Sequence, residues 1–275
     1  MGVSTEGSDM SRVLAVYSEK GGVGKSALSA GLVAAARKRK LGVIAGDLDP
    51  RGTFTAELGI SAEDAPKFSM NDLLALDPKG ETGLAADAFA PASKAWSGVH
   101  VIAAERALAN RETDNVAVGL EFRLRLGLKG VVEEDMVGIL DLPPRAGGKL
   151  VTSALVAATD VVIPATLDED GRIGAAEALS TIKLVKDLGM NPDLRVVGII
   201  PSIVPGGRST LKDAIGEYLA DTYGALYRDD LVIPRHSVRQ QTRFACVPIT
   251  DAPGREAQAL TDVYDRILTA SGVEA

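Results

Sequence analysis

The chain of 275 residues contains one cysteine, Cys246, and two histidines. A single cysteine excludes an intramolecular disulfide, and no Cys/His cluster is present to suggest a metal centre. Aromatic residues make up 4% of the chain against 46% for hydrophobic residues overall, so Ala, Val, Leu and Ile have to fill the core. No run approaches the roughly 18 apolar residues that a membrane span needs. Residues 1–11 are polar and lack the apolar segment of a secretory signal. These absences lead to the expectation of a cytoplasmic protein. Acidic residues outnumber basic ones, 37 to 30. A net charge of −7 argues against a surface coated in base and leaves a local basic patch as the route to nucleic acid.

What the sequence has is alternation. Short Val- and Ile-rich runs at 13–17, 42–45, 99–103, 137–140, 161–163, 196–200 and 231–233 are separated by helical patterns, among them 27–40, 148–157, 173–188 and 209–223. This predicts an α/β fold: a single domain over 12–270, with a mostly parallel twisted sheet and helices on both faces, flanked by tails at 1–11 and 271–275. Ligands of such sheets bind at the carboxyl ends of the strands. The irregular stretch 64–96, with Pro66, Pro78 and Pro91, reads as an insertion carrying a short helix at 70–76. The final helix, about 254–269, mixes acids and bases and lacks the basic and strongly apolar faces of a membrane-targeting helix.

Directly after the first run comes Lys20-Gly21-Gly22-Val23-Gly24-Lys25-Ser26, and an alanine-rich helical pattern follows from Ala27. Strand, glycine loop and helix form the order of a phosphate-binding loop. Its glycines let backbone N–H groups converge on phosphate oxygens, and the helix adds its positive end. Residues Gly21, Gly22, Val23, Gly24 and Ala27 then cradle the nucleotide, Lys25 reaches the outer phosphates and the Ser26 hydroxyl ligates Mg²⁺. Acidic residues stand at two strand ends. Asp47 and Asp49, in Gly46-Asp47-Leu48-Asp49-Pro50-Arg51-Gly52, are placed to meet Mg²⁺ and an attacking water. Asp141, between Ile139-Leu140 and Leu142-Pro143-Pro144, stands where a carboxylate holds the Mg²⁺ shell.

Together these motifs resemble the ParA/MinD family of ATPases: its deviant Walker A loop KGGxGK[ST], its switch motif DxDPQG and its strand end iiDxPP. Partition ATPases are the nearest type, and weaker similarities in the same order extend the resemblance from about Arg12 to Leu268. The resemblance implies a deviant P-loop NTPase fold with ATP and Mg²⁺ as cofactors. It implies catalytic roles for Lys20, Lys25 and Asp49, with Lys20 crossing a dimer interface to the partner's nucleotide and Asp49 orienting the water. Ser26 and Asp141 would serve the metal, Asp47 would support the metal shell or the switch conformation, and Ser202 and Pro234 would flank the adenine. Partners implied are a second copy of the chain in an ATP-dependent homodimer, nonspecific double-stranded DNA, and a ParB-like centromere-binding protein that stimulates hydrolysis. No membrane is implied, and the ATP form would sit on the nucleoid. Three positions depart from the pattern: Arg51 replaces a glutamine, Gln241-Thr242 replaces a Glu-Ala pair, and Pro205-Gly206-Gly207 replaces an acidic loop.

The DNA expectation has its own residues. Arg235, Arg239 and Arg243 are four apart, and on a helix they share one face over about 12 Å. Arg208 and Lys212 form a second such pair. Residues 234–247 contain no acid, an asymmetry suited to phosphate contacts. No segment long enough for a helix-turn-helix precedes the glycine loop, so site-specific operator binding is not expected. An alternative keeps the ATPase and changes the cargo to a protein assembly. A membrane-cycling switch would ask for a terminal basic amphipathic helix, and an iron–sulfur carrier on this fold for paired cysteines. A small-molecule ligase of the same superfamily is the remaining alternative.

Overall fold

The computed structural model describes residues 12–61, 66–77, 79–115, 118–207 and 209–274. The expected N-terminal tail, the start of the irregular stretch, Pro78 and Arg208 therefore lie outside the described residues. Strand β1 (Arg12–Val16) leads through the glycine loop into α1 (Lys25–Lys38), β2 (Gly42–Asp47), α2 (Thr53–Glu57) and α3 (Met70–Ala75). Strands β3 (Phe89–Pro91) and β4 (Val99–Ile102) follow, then α4 (Leu120–Leu128), β5 (Met136–Asp141), α5 (Lys149–Ala157), β6 (Asp160–Ala165) and α6 (Glu169–Asp187). The described chain ends with β7 (Arg195–Pro201), α7 (Thr210–Tyr223), α8 (Ser237–Phe244) and α9 (Arg255–Ala270).

One sheet collects the strands in the order β3-β4-β2-β5-β1-β6-β7. Neighbours are parallel except for β3, which runs antiparallel to β4 at the edge. Helices cover both faces, which is why the central strands are near-continuous apolar runs rather than alternating ones. One core packs α1 and α9 on the sheet around Trp96 and Phe54, and a second packs α3 to α6 on the opposite face. Between α1 and α9 the backbones come so close that a methyl group at Gly31 would stand 2.4 Å from the Tyr264 ring. Helix α6 starts where the Asp168 carboxylate accepts the Gly171 N–H at 2.8 Å, an N-cap that satisfies one of its orphan donors.

The expected fold class is the observed one, with local differences at 231–233 and in the C-terminal tail. No strand forms at 231–233, where a short turn of 3₁₀-helix ends at Leu231 and a single bridge joins Val204 to Pro234. Across this bridge the Val204 N–H donates to the Ile233 carbonyl at 3.0 Å and the Arg235 N–H to the Val204 carbonyl at 2.8 Å. The segment 120–128 alternates apolar and polar residues like a strand, yet it is helix α4. Its buried Arg123 donates to the carbonyls of Leu74 and Ala75 at 2.8 and 2.7 Å and closes the end of α3. The expected C-terminal tail is docked as far as it is described: Ser271 and Val273 are buried, and Arg39 donates to the Val273 carbonyl at 2.6 Å.

Candidate functional site

The glycine loop spans the carboxyl end of β1 and the first turn of α1. Gly24 precedes the helix with φ of 87°, a left-handed conformation that a side chain disfavours. Two bonds hold the loop. The Ser202 hydroxyl, at the end of β7, donates to the Val23 carbonyl at 2.7 Å. The Lys25 ammonium folds back to the Lys20 carbonyl at 2.8 Å. Lys25 is buried, and burial lowers its pKa to about 8 against the opposing pull of Asp141 and Asp49.

Asp47 and Asp141 are register partners at the ends of β2 and β5, and both are buried. The Asp141 carboxylate accepts the Ser26 hydroxyl at 2.7 Å and the Ser29 hydroxyl at 2.8 Å. Burial, reinforced by the charge of Asp47, raises the pKa of Asp141 well above the carboxylate range. Such a pair calls for a counter-charge, and a hydroxyl joined to a buried carboxylate beside a phosphate loop is the donor chemistry of a Mg²⁺ shell. The residues present therefore fit the cation, with Ser26 facing the cleft and Asp141 behind it.

Of the two roles expected for Asp47, the metal shell and the switch conformation, its contacts match the second. Its Oδ1 accepts the Asp49 N–H at 3.0 Å, and its Oδ2 accepts the N–H and hydroxyl of Thr55 at 2.8 and 2.9 Å. Fully enclosed, it braces the loop that carries Asp49. Sequence reasoning did not foresee Thr55 or Ser29. Ser29 carried a signal, since it lies one helical turn after Ser26 on the same face; Thr55 carried none. The Asp49 carboxylate accepts the Arg51 N–H at 3.0 Å.

Gly21, Gly22, Gly24, Lys25, Ser26, Asp49 and Arg51 line one cleft of about 530 Å³, which continues past Ser202, Ile203, Ile233 and Pro234. Its volume and its mix of one phosphate-binding end with apolar walls suit a mononucleotide. Pro234 and Ser202 both line this cleft, and the Ser202 hydroxyl bonds the Val23 carbonyl.

Residues 11–196 fit a family model described as an AAA domain. The chain is similar to the chromosome-partitioning ATPase Soj of Thermus thermophilus, 30% identical over 78% of this chain and 77% of that one. It belongs to the ParA/MinD family. The chromosome partitioning protein ParA of Myxococcus xanthus is 32% identical over 69% of this chain, an alignment that spans 64% of that protein's length. Among solved structures, cobyrinic acid a,c-diamide synthase from Mycobacterium smegmatis with bound ADP and magnesium superposes with a TM-score of 0.75. It is 29% identical, with 94% of each chain covered.

The residues that set this family apart are held as follows. The Lys20 ammonium pairs with Asp170 at the start of α6 at 2.8 Å. Both side chains are exposed, so the pair is weak and Lys20 is free to leave it. The expected three-arginine face is reduced to two: Arg235 and Arg243 are exposed at the rim of the cleft, while Arg239 turns inward to Glu57 and the Ala27 carbonyl. Arg235 precedes α8, which begins at Ser237, so the spacing of four did not carry all three onto one helix face. Lys212 donates to the Gly207 carbonyl at 2.7 Å on the first turn of α7. The apolar face of α9, with Leu260, Val263, Ile267 and Leu268, is buried in the core rather than offered to a membrane.

Proposed function

We propose that the chain is an ATP-dependent DNA partition ATPase. Two copies close face to face on ATP, hold nonspecific double-stranded DNA on the nucleoid, and let go when a ParB-like partner stimulates hydrolysis. The observation that carries this reading is the pair of lysines around one phosphate loop, with Lys25 buried inside it and Lys20 outside it on a weak surface ion pair.

The cleft supports a division of labour. Loop N–H groups and Lys25 hold the phosphates, and the charge of Lys25 stabilises the negative oxygens of the transferring group. Asp49, poised by Asp47 and Thr55, orients the water in line with the bond to be broken. Lys20 of one subunit would complete the phosphate cage of the other. Ser26, with Asp141 behind it, would hold Mg²⁺, which would supply neutralising charge at the phosphates. Arg235 and Arg243 meet DNA phosphates at the rim, which gives affinity without sequence readout.

The test compares wild type, Lys20→Ala and Asp49→Ala in ATP/Mg²⁺ and in ADP/Mg²⁺, by sedimentation and by DNA binding. Wild type should dimerise and bind DNA with ATP only; Lys20→Ala should remain monomeric while still binding nucleotide. Asp49→Ala should stay dimeric on DNA, with turnover reduced about a hundredfold or more. Normal stimulated turnover by Lys20→Ala would overturn the reading. The resemblance to the Mycobacterium smegmatis synthase favours a second reading, an ATP-dependent small-molecule ligase. Steady hydrolysis with no small-molecule acceptor present would exclude it.

A further inference from the structure

Glu57 closes α2, the short helix whose Thr55 grips Asp47 and so sets the position of Asp49. Its carboxylate is bonded to the guanidinium of Arg239 in the middle of α8, and the pair is enclosed, with side chains 2% and 12% exposed. The same guanidinium donates to the Ala27 carbonyl at 3.1 Å, one residue past Ser26, and its charge lies near the Tyr264 hydroxyl of α9. Four segments thus meet at one cation: the switch helix, the first turn of α1, α8 and α9.

The junction is incomplete. Glu57 Oε2 and Arg239 Nε are buried without a hydrogen-bond partner. A buried ion pair contributes little stability relative to apolar packing of the same volume, so stability alone does not account for it. Separating its halves is another matter, because each would be left as an uncompensated buried charge. The two halves are therefore bound to move together. One half belongs to α2, which is tied through Thr55 and Asp47 to the loop that carries Asp49. The other belongs to α8, which carries Arg243 and lines the nucleotide cleft through Arg239, Gln240 and Arg243.

We propose that the Glu57–Arg239 pair is a positioning joint that makes α8 follow the nucleotide state of the Asp49 loop. The proposal rests on the partition-ATPase reading for its consequence, namely that the exposed arginines beside the joint are presented to DNA in one nucleotide state and withdrawn in the other. Glu57 itself does not line the cleft, whereas Arg239 does, so the joint is probed from its Glu57 side.

Hydrogen exchange on the full chain reads the joint directly, with a non-hydrolysable ATP analogue and Mg²⁺ compared with ADP and Mg²⁺. In wild type, amides in both 47–57 and 237–244 should change protection between the two states. In Glu57→Gln the change should persist in 47–57 and shrink about fivefold or more in 237–244. A Glu57→Leu/Arg239→Met double variant replaces the pair with apolar volume and keeps the fold, and it should uncouple α8 to the same extent. An α8 that ignores the nucleotide in wild type would overturn the proposal, as would an unchanged α8 response in the folded double variant. DNA titration of the same samples separates the two ideas. Coupled exchange without DNA binding in any state would sink the DNA reading and support the joint. DNA binding by the double variant that stays as ATP-dependent as in wild type would sink the joint and support the reading.

Discussion

With no phosphate beside it, Lys25 is a buried cation whose pKa has fallen from 10.5 to about 8 because burial penalises the charged form. That difference corresponds to roughly 3 kcal/mol between its charged and neutral forms. A bound nucleotide brings negative oxygens to Nζ and restores the charged form. Binding must then take up a proton wherever the empty site has released one. With an empty-site value near 8, uptake should be about a tenth of a proton at pH 7, about half at pH 8 and about 0.8 at pH 8.5. Affinity should correspondingly weaken by close to tenfold per pH unit above about pH 8.5. Folding of the empty chain has the opposite trend: between about 8 and 10.5 only the unfolded chain still holds this proton, so stability gains with rising pH. Calorimetric titration of ADP at pH 8.5, in two buffers of different ionisation heat, counts the protons. A Lys25→Met variant titrated at higher concentration provides the control. Tight binding without proton uptake in wild type, or equal uptake in Lys25→Met, would refute the argument.

Other expectations follow from the same geometry. Folded Asp141 keeps its proton to higher pH than an unfolded carboxylate because of burial and Asp47. The nucleotide-free protein should therefore lose stability as pH rises out of the carboxylate range, and Asp141→Asn should flatten that trend in melting temperatures between pH 4.5 and 7.5; an unchanged slope would count against it. Gly31→Ala should lower stability by about 1–3 kcal/mol or more through overpacking against Tyr264, and a melting temperature equal to wild type would refute the close α1–α9 contact. Arg235→Ala and Arg243→Ala should each weaken ATP-dependent DNA binding and reduce the salt slope by about 0.9. An unaltered slope in both would remove them from the interface.

The phosphate loop, the two aspartates at strand ends and the α/β class were legible in the sequence because each rests on local pattern. Glycines before an apolar helix, a carboxylate closing an apolar run, and strand–helix alternation have few other physical solutions. Roles that depend on what stands opposite were not legible. Asp47 and Asp49 share one short motif, yet Thr55 and the pairing of β2 with β5 turn the first into a buried brace and leave the second at the cleft. The period-two stretch at 120–128 is helical because it packs between α3 and α5 and its Arg123 finds two carbonyls there, partners no local signal names. The spacing of Arg235, Arg239 and Arg243 is equally a matter of sequence. Only the tertiary structure, by bringing Glu57 under α8, turns the middle arginine inward and leaves the outer two in solvent. Sequence determined which groups could hold a nucleotide; burial and long-range pairing decided which of them face it, because a charge enclosed by distant segments answers to those segments and not to its neighbours in the chain.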